Sequence, residues 1–128
     1  MADMQMALRQ RIVAAVGHDR VFWSLVPQAT ALPYVRLQTI SDPRPQHLGG
    51  YTSSRSTRVQ ADSFSKTYAE ARAASAAIIA GVAQPEIVAG IKFGRTRAQG
   101  PRDLGEDVDG IGFVHRLSTD LLTEHSLA

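Results

Sequence analysis

The sequence predicts a single α+β domain over its 128 residues, with two helices on one face of a mainly antiparallel sheet of about four to five strands. Three observations lead there. Apolar residues recur at helical spacing in two stretches, one near the N-terminus and one in the middle. The segments between and after them alternate apolar and polar residues, as half-buried strands do. No internal repeat interrupts the order α-β-β-β-α-β-β.

The elements follow in order. Met4, Leu8, Ile12, Ala15 and Val16 fall at helical spacing, Asp3 can cap the start and Gly17 can end the helix. Val21-Phe22-Trp23 is a short apolar run that fits a first strand. Pro27 and Pro33 bracket a loop, after which Tyr34 to Ile40 reads as a strand with Val35 and Leu37 on one side and Arg36 and Gln38 on the other. Ser41 to Ser56 carries Pro43, Pro45, Gly49 and Gly50, and is expected as a long loop or the tip of a hairpin. Loops longer than about 12 residues are usually functional or mobile. Thr57 to Phe64 resumes as a strand, with Val59 and Ala61 alternating and Phe64 breaking the pattern.

The second helix, Thr67 to Ala80, has the clearest signal. Thr67 and Glu70 form a capping box, in which each side chain satisfies an otherwise unpaired backbone N–H. Tyr68, Ala71, Ser75, Ile78, Ile79 and Val82 make the expected buried stripe, Gly81 the C-cap, and Pro85 the stop. Gly90 to Ala98 is expected as a strand and Gln99 to Asp109 as a polar loop. Ile111 to Leu117 is the last strand, with an extension to Leu122, and the stretch from residue 120 to 128 is a candidate flexible tail.

The composition is that of an ordinary globular protein, 44% hydrophobic and 20% charged. A domain of this size buries roughly two-thirds of its unfolded surface, enough for one core. With no cysteine, there is no disulfide framework and no thiolate metal site. The first eleven residues lack the apolar run of a signal peptide, and no stretch approaches the roughly 20 apolar residues of a membrane span. The formal charge of +2 does not imply a nucleic-acid partner. Of 14 basic residues, however, only Lys66 and Lys92 are lysine. Arginine suits interfaces and phosphate contacts because its charge is permanent and its donors form a planar fork. A GC-rich genome gives the same bias.

Motifs for catalysis are missing from the sequence. His18, His47, His115 and His125 form no H-E-x-x-H pattern, and His115 on a strand reads as a packed or rim histidine. The acidic turn from Gly105 to Gly110 fails as a calcium loop, since Gly105 and Arg116 fall where ligands should stand. There is no nucleophile elbow and no phosphate-binding P-loop. No cofactor, metal or catalytic residue is therefore assigned. Arg44 and Arg55, with His47, cluster at the first long loop, and Arg95, Arg97 and Arg102 at the second. These six are the candidate contacts to a partner; Arg58 flanks the first loop as well. The aromatic interleaving of a single-strand binder is lacking.

Two stretches carry a family resemblance. One is Leu32-Pro33-Tyr34-Val35-Arg36-Leu37-Gln38-Thr39-Ile40-Ser41; the other runs from Arg58-Val59-Gln60-Ala61-Asp62 through Thr67-Tyr68-Ala69-Glu70-Ala71. An LPY strand, then a VQxD strand leading straight into a TYAEA helix, resembles the tail-completion (tail-terminator) proteins of long-tailed bacteriophages, prophages and gene transfer agents. The resemblance covers roughly residues 5 to 120. It departs mildly at Ala61 and Ser63, where family members often carry larger residues. It implies a non-enzymatic virion protein that caps the tail tube as a homo-oligomeric ring, hexameric in the family. The implied partners are further copies of itself, the tail tube protein and the head-tail connector or stopper, with non-specific DNA contact in the lumen and no membrane. It further implies a tail or neck location, with assembly in the bacterial cytoplasm. The loop Ser41–Ser56 is the expected contact to a neighbour or the tube. The alternative reading is a small α+β binding module for nucleic acid or another protein.

Overall fold

The computed structural model describes residues 3–43, 46–47, 50–51 and 54–128. Helix α1 (Met4–Val16) starts where the Asp3 side chain accepts a bond from the Gln5 N–H at 2.9 Å, and stops where Gly17 turns left-handed at φ 81°. The strands are β1 (Val21–Trp23), β2 (Tyr34–Ser41), the short β3 (Gln46–His47) and β4 (Gly50–Tyr51), and β5 (Arg55–Ser65). Helix α2 (Tyr68–Ala83) is followed by β6 (Glu86–Val88), β7 (Ile91–Val108) and β8 (Gly112–Leu127).

The main sheet has six strands rather than four to five, in the order β1-β2-β5-β8-β7-β6. Every pairing is antiparallel except β1 with β2, so the sheet is mixed. The expected loop Ser41–Ser56 joins the paired strands β2 and β5 and overlaps them at Ser41, Arg55 and Ser56, with β3 and β4 forming a two-residue ladder within it.

Both helices pack on one face. Leu8 and Ile12 of α1 and Ile78 and Val82 of α2 meet Val35, Leu37, Val59, Ala61, Phe93 and Leu121 from the sheet, all at most 1% exposed. Alternation along β2 and β5 turns the odd-numbered residues to this core and the even-numbered ones to the opposite face.

Three expectations need correction. The region 99–109 is strand, not loop: β7 runs to Val108 because each of its residues from Arg102 on pairs with β8. The candidate tail 120–128 is likewise the inner end of β8, and Ala128 donates its N–H to the Gly90 carbonyl at 3.0 Å. Gly81 does not cap α2, which continues to Ala83 with Gln84 as its C-cap. A Cβ on Gly81 would lie 2.7 Å from the Ala15 Cβ, so its lack of a side chain serves the close approach of α1 to α2. Pro85 still ends the helix. The carbonyls at that end are met by Arg11, only 5% exposed, which donates to Gln84 at 2.8 Å and Gly81 at 3.3 Å, and pairs with Glu86.

Tyr68 and Ile79 also leave the expected stripe. Ile79 is half-buried and Tyr68 is exposed, with its hydroxyl donating to the Asp103 carboxylate at 3.1–3.2 Å. Phe64 does not break the strand. It lies on the helix-free face, 8% exposed, stacked on Tyr34 with ring centroids 4.7 Å apart.

Candidate functional site

The face of the sheet without helices gathers the even-numbered side chains of β2, β5 and β8. The registers Arg36↔Asp62↔Ser118, Gln60↔Asp120 and Phe64↔Arg116 place Arg36, Arg58, Gln60, Asp62, Phe64, Arg116 and Asp120 together. Strand β7 adds Arg97 and Gln99, opposite Leu122 and Asp120, and Arg102, opposite Ser118. Arginines from four strands therefore share one surface.

Its anchor is Asp62, a carboxylate with no exposed surface. Arg36 Nη2 lies 3.0 Å from one oxygen and Arg116 Nε 3.5 Å from the same oxygen. The Gln60 amide donates to both oxygens at 3.0 and 3.1 Å. The two guanidinium groups also stand over the Phe64 ring, at 5.4 and 6.0 Å from its centroid. A buried carboxylate is tolerable only when its lone pairs are filled by charged donors. Here those donors are pinned in return, with one side of each arginine still reaching solvent, at 27% and 32% side-chain exposure. A second pair, Arg58 with Asp120 at 3.3 Å, continues the pattern, and Arg58 also donates to Gln99. The arrangement can hold anions or present a fixed charged surface. These side chains include no nucleophile with a base beside it, as acyl transfer would need.

The sequence-derived contact residues fall in different places. Arg44 lies outside the described residues, as does the side chain of His47, whose backbone belongs to β3. Arg55 is ion-paired with Asp42, whose other oxygen accepts the Thr57 hydroxyl at 2.9 Å, and Thr57 in turn lies 2.8 Å from His125 Nε2. This partly buried chain ties the base of the Ser41–Ser56 connection to the inner end of β8. Burial pushes the His125 imidazole pKa down and the nearby Arg55 charge adds to that, while Asp42 opposes them. Arg95 and Arg97 are exposed on β7; Arg102 is exposed too, and its nearest partner is Ser118 Oγ at 3.5 Å. Arg97 and Arg102 thus join the arginine face, in company with Arg36, Arg58 and Arg116. Sequence reasoning did not single out Arg36, Arg116 or Asp62, and it placed Arg58 only beside the first loop. The signal available was the even-numbered alternation Arg58, Gln60, Asp62.

Beyond the end of β5, the β7–β8 hairpin projects, and against it the segment 26–34 lines a groove of about 280 Å³ with Phe64, Val108, Ile111 and Val114. On the other side of the hairpin, the Phe113 and Tyr68 rings flank His115 edge-on at 4.8 and 5.8 Å. His115 is thus a packed rim residue. Among the described residues, no cluster of three or more histidine, aspartate or glutamate side chains is placed to hold a metal ion. No helix is long and apolar enough to cross a membrane among those residues.

Comparison with known proteins gives two findings. The family model for tail completion protein gp17 matches residues 3–109. A chain from the virion of a native gene transfer agent particle has a similar fold, with TM-score 0.64 and 19% sequence identity, covering 97% of this chain and 93% of the other. No curated protein matches the sequence.

Proposed function

Since the chain belongs to the tail completion protein gp17 family, a family of structural phage-tail proteins, we propose that it caps the end of a tail tube as a ring and joins the tail to the head connector. The observation that carries this reading is the family match, which spans both helices and all strands up to the outer end of β7. The fold likeness to a gene transfer agent virion chain supports it. The ring is made of copies of this chain, six by analogy with the family. Its neighbours are the tail tube protein and the connector or stopper. It works in the neck of the particle and assembles in the bacterial cytoplasm.

The mechanism is one of surfaces. A ring that closes by rotation offers no free end of the kind that lets a tube keep growing. Docked on the tube, it halts subunit addition and gives the connector a new surface. The arginine face, with Arg36, Arg58 and Arg116 held by Asp62 and Asp120 and with Arg97 and Arg102 beside them, is the surface best suited to passing DNA. Phosphate attraction there is independent of sequence and weakened by salt. The connection Ser41–Ser56 contacts the neighbour or the tube, and the Arg55–Asp42 pair holds its base.

Deletion of the gene from a producing phage or particle tests the proposal. Electron microscopy of the lysate should show tails of irregular length and filled heads without tails. Normal joined particles would refute it.

A further inference from the structure

The two edges of the main sheet are each only partly covered. At one edge β6 pairs with Ile91–Phe93 alone, so the outer side of β7 from Gly94 onward has no strand partner among the described residues. At the other edge β1 pairs with Val35–Leu37 alone. The chain leaves there, with the Ser24 N–H on the Leu37 carbonyl at 2.7 Å, and the outer side of β2 from Gln38 to Ser41 is likewise without a strand among those residues. Such rows of unpaired N–H and C=O groups are templates for strand addition.

The register relates the two bare runs. Thr39 is opposite Val59, Val59 opposite Leu121, and Leu121 opposite Ala98. In the same way Gln38 leads through Gln60 and Asp120 to Gln99, and, past the β-bulge at Ile40, Ser41 leads through Arg58 and Leu122 to Arg97. The bare part of β2 therefore stands at the same height along the sheet as the bare part of β7. Three successive antiparallel pairings also make β2 and β7 run in opposite directions. Thr39, Ile40, Ser41, Arg97, Ala98 and Gln99 are all exposed. Two register shifts bound the regular run on β7, one between Phe93 and Thr96 and one between Gln99 and Arg102, which contains Pro101.

From this juxtaposition we propose that a second copy of this chain docks edge to edge, its β2 segment Gln38–Ser41 pairing antiparallel with the β7 segment Arg97–Gln99. The inference rests on the ring reading and gives it an interface. A neighbour placed by rotation, without a slide along the strands, brings the two runs together in register and continues the sheet. The two edges are different surfaces of one chain, so the contact is heterologous, and it gives a ring where the rotation between neighbours closes. A self-pairing of β7 with β7 would instead close as a dimer and leave β2 bare.

The absence of cysteine gives a clean test by cross-linking. Thr39 and Ala98 lie on the same face at the same height. Within one copy they are three strand spacings apart, about 14 Å, beyond the roughly 7 Å Cα limit of a disulfide. Between copies they become cross-strand neighbours. The purified Thr39→Cys/Ala98→Cys chain, oxidised and run without reductant, should give a ladder of covalent multimers ending in a closed ring. The Thr39→Cys/Asp107→Cys control should give none. Native mass spectrometry of the unmodified chain, alone and with tail tubes added, reads the ring independently. A ring without the Thr39–Ala98 link overturns the edge pairing and leaves the ring reading standing. A chain that stays monomeric under both conditions, with no ladder, overturns both.

Discussion

Replacing Asp62 with asparagine removes a single charge from a site with no exposed surface, and the structure sets the size of the effect. The lost charge faces Arg36 at 3.0 Å and Arg116 at 3.5 Å, and a new amide meets the donating Gln60 amide at about the same place. A charge-assisted hydrogen bond contributes about 1.5–3 kcal/mol. Only the Arg36 contact is short enough to count fully, and both arginines keep nearly a third of their side chains in water, which softens the loss. The expected destabilisation is therefore about 2 kcal/mol, within the range for breaking a buried polar network. Urea denaturation at neutral pH reads it as a midpoint lowered by about 1 M for a slope near 2 kcal/mol/M. Combining Asp62→Asn with Arg36→Met should cost less than the sum of the two single changes, because they share the contact. A midpoint shift below about 0.2 M, or strict additivity in the double variant, would refute the reasoning that Asp62 anchors the arginine face.

Three other outcomes are expected. Gly81→Ala should lower the melting temperature although alanine is the better helix former, since its Cβ meets the Ala15 Cβ at 2.7 Å; Ala15→Gly in the same chain should recover part of the loss, and a stabilised single variant would contradict the close approach. For pH, burial is the largest cause holding the His125 and His18 pKa values below the ordinary 6.5. The unfolded chain therefore binds more protons once pH falls below that value. Their contribution to stability is complete above about pH 6.5 and is lost as pH drops toward the folded values, and chemical denaturation across pH 4 to 8 with His125→Gln should show a shallower acid slope. Finally, Arg97→Ala with Arg102→Ala should weaken binding of double-stranded DNA to the assembled protein and reduce the salt slope by about 0.9 for each phosphate that is no longer neutralised; unchanged binding in a filter or fluorescence assay would remove these two from the lumen.

The parts of the fold legible in the sequence are those fixed locally. Asp3, Gly17 and Thr67 act within one helical turn: α1 runs between the first two, and the Thr67 side chain accepts from the Glu70 N–H at the start of α2. Val35, Leu37, Val59 and Ala61 alternate because one face of their strands is buried. The outer half of β7 carried no such pattern. From Arg97 to Asp107 it is exposed throughout, so no apolar alternation marks it, and Gly100, Pro101 and Gly105 read as loop residues. Pairing with β8 makes it a strand, which is a tertiary cause. The site shows the same division. Arg97 and Arg102 were legible as exposed arginines, but Asp62 acquires its role only when β2, β5 and β8 bring Arg36 and Arg116 to it. The ion pair of Arg55 was hidden for a related reason: its partner Asp42, and the Thr57 and His125 that continue the chain of contacts, come from three separate segments.

The central claim is that this chain forms a closed ring between tube and head. A cryo-electron microscopy reconstruction of the neck of the intact particle tests it most directly. One ring of these chains is expected on the head-proximal end of the tube, with sheets continuous between neighbours and the arginine face turned toward the channel. Density for the chain at the distal tip, along the tube, or as isolated copies without contact to one another would contradict it.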